Sequence, residues 1–113
     1  MSLPLNEFFA ALSDPTRRAV LEQLSAGPRT VSQLAEPFDI ALPSFMKHLR
    51  KLEKAGLVRS VKKGRVRTCH LNTDPLLEAQ GWLEWQRAVW ERNMGREGQL
   101  DLSLEPPAPQ FRS

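Results

Sequence analysis

The sequence contains one cysteine, no long run of apolar residues and no basic leader. Cys69 is the only cysteine among 113 residues, so the chain cannot form an internal disulfide, which agrees with a reducing compartment. No apolar run approaches the length that spans a bilayer, and residues 1–4 do not begin like a secretory signal. These absences predict a cytoplasmic protein that has no membrane partner.

The residue patterns of common catalytic and metal sites are also missing. The sequence has no paired motif carboxylates, no nucleophile elbow and no glycine loop that would hold a phosphate. Its soft metal ligands are Cys69, His48 and His70, which are too few for a four-ligand site in one chain. A chain of this length holds one modest core and no separate catalytic domain. We therefore predict a protein that is not an enzyme and binds neither metal nor cofactor.

Basic residues are concentrated in one quarter of the chain. Residues 42–67 contain nine basic residues and one acidic residue, Glu53, whereas the remainder contains seven basic and twelve acidic residues. The net charge of residues 42–67 is therefore +8, although the net charge of the whole chain is only +3. Such segregation is typical of a face that binds nucleic acid, although a solvated charged surface would show the same pattern.

Proline, glycine and capping residues divide the first half of the chain into four predicted helices. The first covers residues 6–12, and Asp14 followed by Pro15 begins the second. Thr30, followed three residues later by a glutamine, begins a short third helix through a capping box. The fourth runs from residue 42 or 43 to residue 55. Its predicted buried face consists of Leu42, Phe45, Leu49 and Leu52.

The hydrophobic period changes after Gly56 from helical to alternating. Two runs rich in β-branched residues flank a glycine turn within residues 57–71 and predict a β-hairpin with a cationic tip. A last long helix is predicted from about residue 76 to residue 94. We expect residues 1–94 to form one domain and residues 95–113 to form an extended, proline-containing tail.

The predicted order of elements is four helices, two strands and a helix, a mostly α fold with a small β-hairpin. A helix pair followed by a basic hairpin is typical of a winged helix-turn-helix that binds double-stranded DNA. The fourth helix would present side chains to base edges in the major groove, whereas its last lysine and the wing would contact phosphates. The residues predicted at base edges are Ser44, Met46, Lys47, Arg50 and Lys51, and those predicted at phosphates are Lys54, Lys62, Lys63, Arg65 and Arg67.

Several segments of the chain resemble the ArsR family of bacterial repressors. They are ALSDPTRR at residues 11–18, KHLRKLEKAGLV at residues 47–58, and the pairs Leu34-Ala35 and Gly64-Arg65. The resemblance covers residues 7–94. It implies a homodimeric repressor that binds a near-palindromic operator and regulates its own operon.

The chain departs from the ArsR pattern in the third helix and at the start of the fourth. Residues 29–35, where many members carry a Cys-x-Cys metal site, contain no thiol or imidazole, and the stretches at residues 36–40 and 81–85 resemble the branch that lacks this site. Ala41 replaces the serine that usually opens the recognition helix. Phe45 and Met46 also differ from the usual residues, so the base specificity of the family does not transfer. Met46 would contact a thymine methyl group or fill a gap at the domain surface.

The predicted last helix has an apolar arc that is wider than one small domain would cover. Its residues belong to the core or, as the resemblance also implies, to a homodimer interface of the first and last helices. A pocket between these aromatic helices would suit a small apolar effector. The residues predicted at the interface are Phe8, Phe9, Trp82, Leu83, Val89 and Trp90.

Two alternative functions stay open at the level of sequence. Cys69 would serve as the switch of a thiol-based redox repressor, although the alternating pattern favours a packed, unreactive side chain. A winged helix can also bind a protein or RNA. His48, at the edge of the buried face of the fourth helix, is predicted to form a structural hydrogen bond and not to bind metal.

Overall fold

The structure is a computed structural model that describes residues 3–95, and the chain divides into two compact units, residues 1–79 and 80–113. The predicted tail lies outside the described residues from residue 96 onward, and the predicted domain boundary at residue 94 stays a prediction. The described part of the second unit is one stretch of helix, residues 80–95. In chain order the elements are α1 (Leu3–Leu12), α2 (Pro15–Leu24), β1 (Arg29–Thr30), α3 (Val31–Ala35), α4 (Leu42–Lys54), β2 (Val58–Lys63), β3 (Val66–Leu71) and α5 (Asp74–Gly95).

Helix starts follow the predicted capping residues. The Asp14 carboxylate accepts a hydrogen bond from the backbone N–H of Arg17 at 3.0 Å, with Pro15 at the first helical position of α2. Thr30 and Gln33 form both hydrogen bonds of the capping box that begins α3. Because Ala41 precedes α4, that helix has no side-chain cap.

The sheet contains the predicted hairpin and one strand that the sequence did not predict. β2 and β3 pair antiparallel from Val58 opposite Leu71 to Lys63 opposite Val66, and Gly64 supplies the positive φ of +61° in the turn. The two-residue strand β1 adds to the other edge of β3, so the strand order is β1-β3-β2. A strand this short has no alternation to detect, which explains why it was missed.

The core of the first unit lies where α4 meets α1, α2 and the sheet. Phe45, Leu49 and Leu52 are fully buried along one face of α4, as the helical projection predicts. Leu42 was predicted on the same face, and this prediction is wrong, because its side chain is 57% exposed. Leu42 is the first residue of the helix, and burial begins one turn later at Phe45. Among residues 3–95, no helix is both long and apolar enough to cross a membrane.

Candidate nucleic-acid interface

The face of α4 opposite the core is polar and basic. Met46 is half-buried at its edge, and the remaining predicted side chains of this face are exposed. The exposed residues are Ser44, Lys47, Arg50, Lys51 and Lys54. Because 13 residues of helix extend about 20 Å, the basic face is long enough to lie along the major groove.

A C-terminal turn directs the chain from α4 straight into the wing. The backbone N–H of Gly56 donates to the carbonyl of Glu53 at 2.9 Å, and that of Leu57 donates to the carbonyl of Leu52 at 3.0 Å. This pair of bonds is a Schellman motif, which ends a helix and satisfies its last carbonyls. The recognition helix and the wing are therefore joined by a hydrogen-bonded turn, with φ of +77° at Gly56.

Buried Arg17 connects α1, α2 and α4, and sequence reasoning assigned it no role. Its side chain is 7% exposed. Nε donates to the carbonyl of Ala11 at 2.7 Å, and Nη2 donates to the carbonyl of Ala10 at 3.0 Å. Nη1 lies 2.9 Å from Nδ1 of His48. Arg17 belongs to the segment ALSDPTRR that carries the family resemblance, but nothing in that segment shows that one of its two arginines points inward.

His48 accepts the hydrogen bond that Arg17 donates, because a guanidinium group has no acceptor atom. This agrees with the structural role predicted for His48. The same imidazole nitrogen lies 3.6 Å from Oδ2 of Asp14. One cluster of Arg17, His48 and Asp14 thus connects the start of α2 to the middle of the recognition helix.

Asp14 is held as a carboxylate by this cluster. Burial is the largest single influence and would raise the pKa of its carboxyl group. The backbone N–H groups of Arg17 and Thr16, with the positive charge of the Arg17 guanidinium group, outweigh burial and hold the pKa below its usual value. The N-cap of α2 therefore keeps its charge at neutral pH, where it also favours the helix N-terminus.

The wing presents cations at its tip and along its second strand. Lys62, Lys63 and Arg65 are exposed, and Arg67 is half-buried. Val66 is 52% exposed beside them, so the tip also has apolar surface. This arrangement suits a sugar-phosphate strand, whose sugars are apolar and whose phosphates are anionic.

A groove of about 350 Å³ separates the wing from α3 and α4. It brings together four of the predicted residues and adds four that the sequence did not assign to the DNA contact. The predicted residues are Met46, Lys62, Arg65 and Arg67, and the added residues are Thr30, Val31, Ser32 and Val66. Hydroxyl groups on one wall and cations on the other are suitable for binding phosphate oxygens.

Lys54 is placed differently from the other predicted phosphate contacts. Its Nζ lies 3.6 Å from Oε1 of Glu7 on α1, and its side chain is 72% exposed. An exposed ion pair of this kind contributes roughly 0–1 kcal/mol. Glu7 therefore competes only weakly with a phosphate for Lys54.

Cys69 lies in the middle of β3 and is fully buried. Burial raises the pKa of its thiol, and the negative charge of Glu53 raises it further, against a smaller opposing effect of Arg67. Ser60 donates a hydrogen bond to that Glu53 carboxylate at 2.6 Å. A buried thiol with a raised pKa forms little thiolate at neutral pH, which disfavours the redox alternative.

We expect Cys69 in the folded protein to react with Ellman's reagent at least 100-fold more slowly than in the unfolded chain, where burial no longer protects the thiol. The release of the coloured thiolate, followed by absorbance with and without denaturant, measures both rates. In 6 M guanidinium one thiol per chain should react. Rapid stoichiometric reaction of the native protein would contradict this expectation and support the hypothesis of a thiol-based redox switch.

The predicted interface residues have very different exposures. Phe8 is 2% exposed and packs edge-to-face on Phe9 at 5.3 Å, so its ring belongs to the subunit's own core and offers a second chain little surface. Phe9 is half-buried. In the second unit, Leu83 and Trp90 are 51% and 50% exposed.

Helix α5 also exposes an aromatic residue that the predicted interface omitted. Trp85 is 64% exposed, and it lies about 140° around the helix from Trp90. Trp82 and Val89 are half-buried. Arg87 forms exposed ion pairs along the charged side of α5 with Glu84 and Glu91.

No cluster of three or more potential metal ligands occurs among residues 3–95. The four residue types searched were histidine, cysteine, aspartate and glutamate. The cluster of Arg17, His48 and Asp14 accounts for one of the two histidines through hydrogen bonding.

Comparisons with known proteins agree on a DNA-binding regulator. Residues 12–61 match the family described as a helix-turn-helix domain. The transcriptional repressor SdpR of Bacillus subtilis (strain 168) is 38% identical over 79 residues, which cover 70% of this chain and 88% of SdpR. The regulator Rv2034 of Mycobacterium tuberculosis is 36% identical over 81 residues, covering 70% of this chain and 76% of Rv2034.

Solved structures show the same relationship. The crystal structure of the ArsR family transcriptional regulator RHA00566 has a TM-score of 0.76 and 57% sequence identity, covering 78% of this chain and 91% of that chain. An ArsR-like transcriptional regulator from Rhodococcus sp. RHA1 has a TM-score of 0.71 and 35% identity, covering 81% and 87% of the two chains.

Proposed function

The chain belongs to the ArsR family of winged helix-turn-helix transcriptional regulators, and from this premise we propose that it is a homodimeric repressor that binds a near-palindromic operator in its own operon. Its relatives are transcriptional regulators and not enzymes. The observation that carries the proposal is the exposure of the basic side chains of α4 and of the wing, here called the basic surface.

The two parts of this surface have different roles in the proposed complex. The exposed side chains of α4 enter the major groove, where Lys47 and Arg50 reach base edges. The wing and the hydroxyl groups at the start of α3 hold a phosphate strand in the groove between them. Met46 lines that groove, so we favour packing of its side chain against the sugar-phosphate strand of the DNA over contact with a thymine methyl group.

The apolar side of α5 supports the homodimer. Leu83 and Trp90 are seven residues apart, so they lie on one stripe of the helix, and each is half exposed in the single chain. Half-exposed tryptophan and leucine side chains are typical of surfaces that a partner covers. In the first unit, Phe9 is kept as a proposed interface residue and Phe8 is not, because Phe8 is buried. A two-fold dimer would place its recognition helices in successive major grooves, about 34 Å apart.

Operator binding across a salt series tests this proposal. We expect log Kd to rise steeply with log salt, and Lys63→Ala to reduce that slope by about 0.9 because one phosphate contact is lost. Arg50→Ala should weaken discrimination between operator and unrelated DNA by about 5- to 150-fold, since a lost base contact costs about 1–3 kcal/mol. Fluorescence anisotropy with labelled duplexes measures both effects.

Arg87→Ala is the matched control, because it removes one positive charge from α5 and none from the basic surface. Its salt slope should equal that of the unmodified protein. Duplex binding that is absent or insensitive to salt would overturn the proposal and favour a protein- or RNA-binding module. If Arg50→Ala leaves both the affinity and the discrimination unchanged, α4 is oriented differently on the DNA.

A further inference from the structure

The first unit contains a second cavity that is separate from the basic surface. Its volume is about 130 Å³, and it lies between α1, α2, the base of the wing and the first turn of α5. Six apolar side chains line it: Phe8, Leu12, Leu21, Leu57, Leu71 and Leu76. It includes side chains of both helices between which the sequence predicted a pocket, α1 and α5, and it extends to α2 and the base of the wing.

The cavity wall offers no polar surface to a bound molecule. Asn72 contributes to the wall, but its amide nitrogen donates to the carbonyl of Gly56 at 2.8 Å, and its Oδ1 accepts the N–H of Asp74 at 3.3 Å. The carbonyl of Thr73, another wall residue, accepts the N–H of Leu76 at 3.0 Å. The cavity is partly open to solvent, but water inside it finds no hydrogen-bond partner on the apolar wall, so the cavity favours an apolar occupant that displaces this water.

The volume sets the size of that occupant. A dry cavity of roughly 150 Å³, lined by leucine, isoleucine and phenylalanine, is large enough to bind benzene. We propose that this cavity binds a small apolar ligand, one aromatic ring or a short branched alkyl group in size. We further propose that the ligand is the effector that controls DNA binding, a part that rests on the proposed function.

The position of the cavity explains how a ligand would influence DNA binding. Leu57 lies between the end of α4 and β2, Leu71 is the last residue of β3, and the carbonyl of Leu57 accepts the N–H of Asn72 at 2.8 Å. Both ends of the wing therefore meet at the cavity wall. A ligand that contacts both ends of the wing would bind the free protein and the DNA-bound protein with different affinities. By thermodynamic linkage, the same ligand would then change the affinity of the protein for its operator.

Toluene is the probe for ligand binding, with the full chain labelled at its leucine methyl groups. We expect saturable shifts of the Leu57, Leu71 and Leu76 methyl resonances in carbon-proton correlation spectra. Phenol has nearly the same shape but would bury a hydroxyl group without a partner, so its Kd should be at least tenfold weaker. Absence of these shifts at saturating toluene, or equal binding of phenol, would overturn the proposal.

Two adjacent leucines of α5 provide a matched pair of variants. Leu76 lines the cavity and is 49% exposed, whereas Leu77 does not line it and is 63% exposed. Leu76→Trp should cover or fill the cavity and weaken toluene binding at least tenfold, while Leu77→Trp should change it less than twofold. Equal toluene affinities in the two variants would contradict the assigned site.

A variant that enlarges the cavity gives an independent test if Leu76→Trp does not fold. Leu21→Ala removes wall volume, so the variant should bind naphthalene at least tenfold more tightly than the unmodified protein does. Equal naphthalene affinities of the variant and the unmodified protein, or failure of the variant to bind naphthalene, would count against the cavity as the site.

The regulatory part is tested separately with operator DNA. Saturating toluene should change the operator Kd at least threefold in the unmodified protein and less than 1.5-fold in Leu76→Trp. Toluene binding without a change in operator Kd would refute the effector role and leave the proposed function intact. A protein that binds toluene but no duplex would refute the proposed function and leave the ligand site intact.

Discussion

Replacing Arg17 by alanine is expected to lower the free energy of unfolding by about 3 kcal/mol, because it leaves the buried Ala11 carbonyl and Nδ1 of His48 without this donor. Arg17 is 7% exposed, and its guanidinium group donates to the carbonyls of Ala10 and Ala11 and to the ring of His48. Such a loss corresponds to a fall in Tm of roughly 10–20 °C for a domain of this size. Urea unfolding at a fixed chain concentration measures it, since a dimer's stability depends on concentration.

The neighbouring residue provides the control for Arg17. Arg18 is exposed and donates one hydrogen bond to the carbonyl of Leu12 at 2.6 Å, so Arg18→Ala should cost less than about 0.5 kcal/mol. Arg17→Lys keeps the charge but cannot reproduce the fork of donors, so its loss should lie between the two. Equal stabilities of the two alanine variants would mean that the Arg17 cluster does not hold α4 in place.

Local signals in the sequence predicted the helices and the wing because each depends on neighbouring residues. Asp14 and Thr30 cap the helices that they were predicted to begin, and the alternation after Gly56 became β2 and β3. The burial of Phe45 likewise follows from a period of 3.6 residues. Leu42 is an exception. The hydrophobic period assigns a residue to one face of the helix, but it does not show which turns of that helix are covered by the core.

The contacts that the sequence did not predict join residues that are distant along the chain. Arg17 and His48 are separated by 31 positions, and no periodicity pairs them. Thr30 and Ser32 line the groove beside the wing because β1 pairs with β3, which places the start of α3 near the wing. The charge pattern of the sequence therefore predicted the basic surface. Only the tertiary structure shows that hydroxyl groups at the start of α3 lie opposite the cations of the wing.

Replacing Trp90 by aspartate is expected to convert the proposed homodimer into monomers and to weaken operator binding at least 100-fold. Trp90 is half exposed in the single chain, so the charge costs the subunit little, but it is not tolerated in an apolar interface. A monomer contacts one half-site and loses the gain from engaging both at once, typically about 10²- to 10⁴-fold. Analytical ultracentrifugation and operator titration measure the two effects.

Trp85→Asp makes the same substitution on another side of the same helix. Trp85 is 64% exposed and lies about 140° from Trp90, outside the stripe that contains Leu83. Because the proposed interface uses that stripe, Trp85→Asp should remain dimeric and bind the operator within about threefold of the unmodified protein, as surface substitutions typically change free energies by less than about 0.5 kcal/mol. A dimeric Trp90→Asp would exclude the interface, and a monomeric Trp85→Asp would show that α5 meets its partner through a different face.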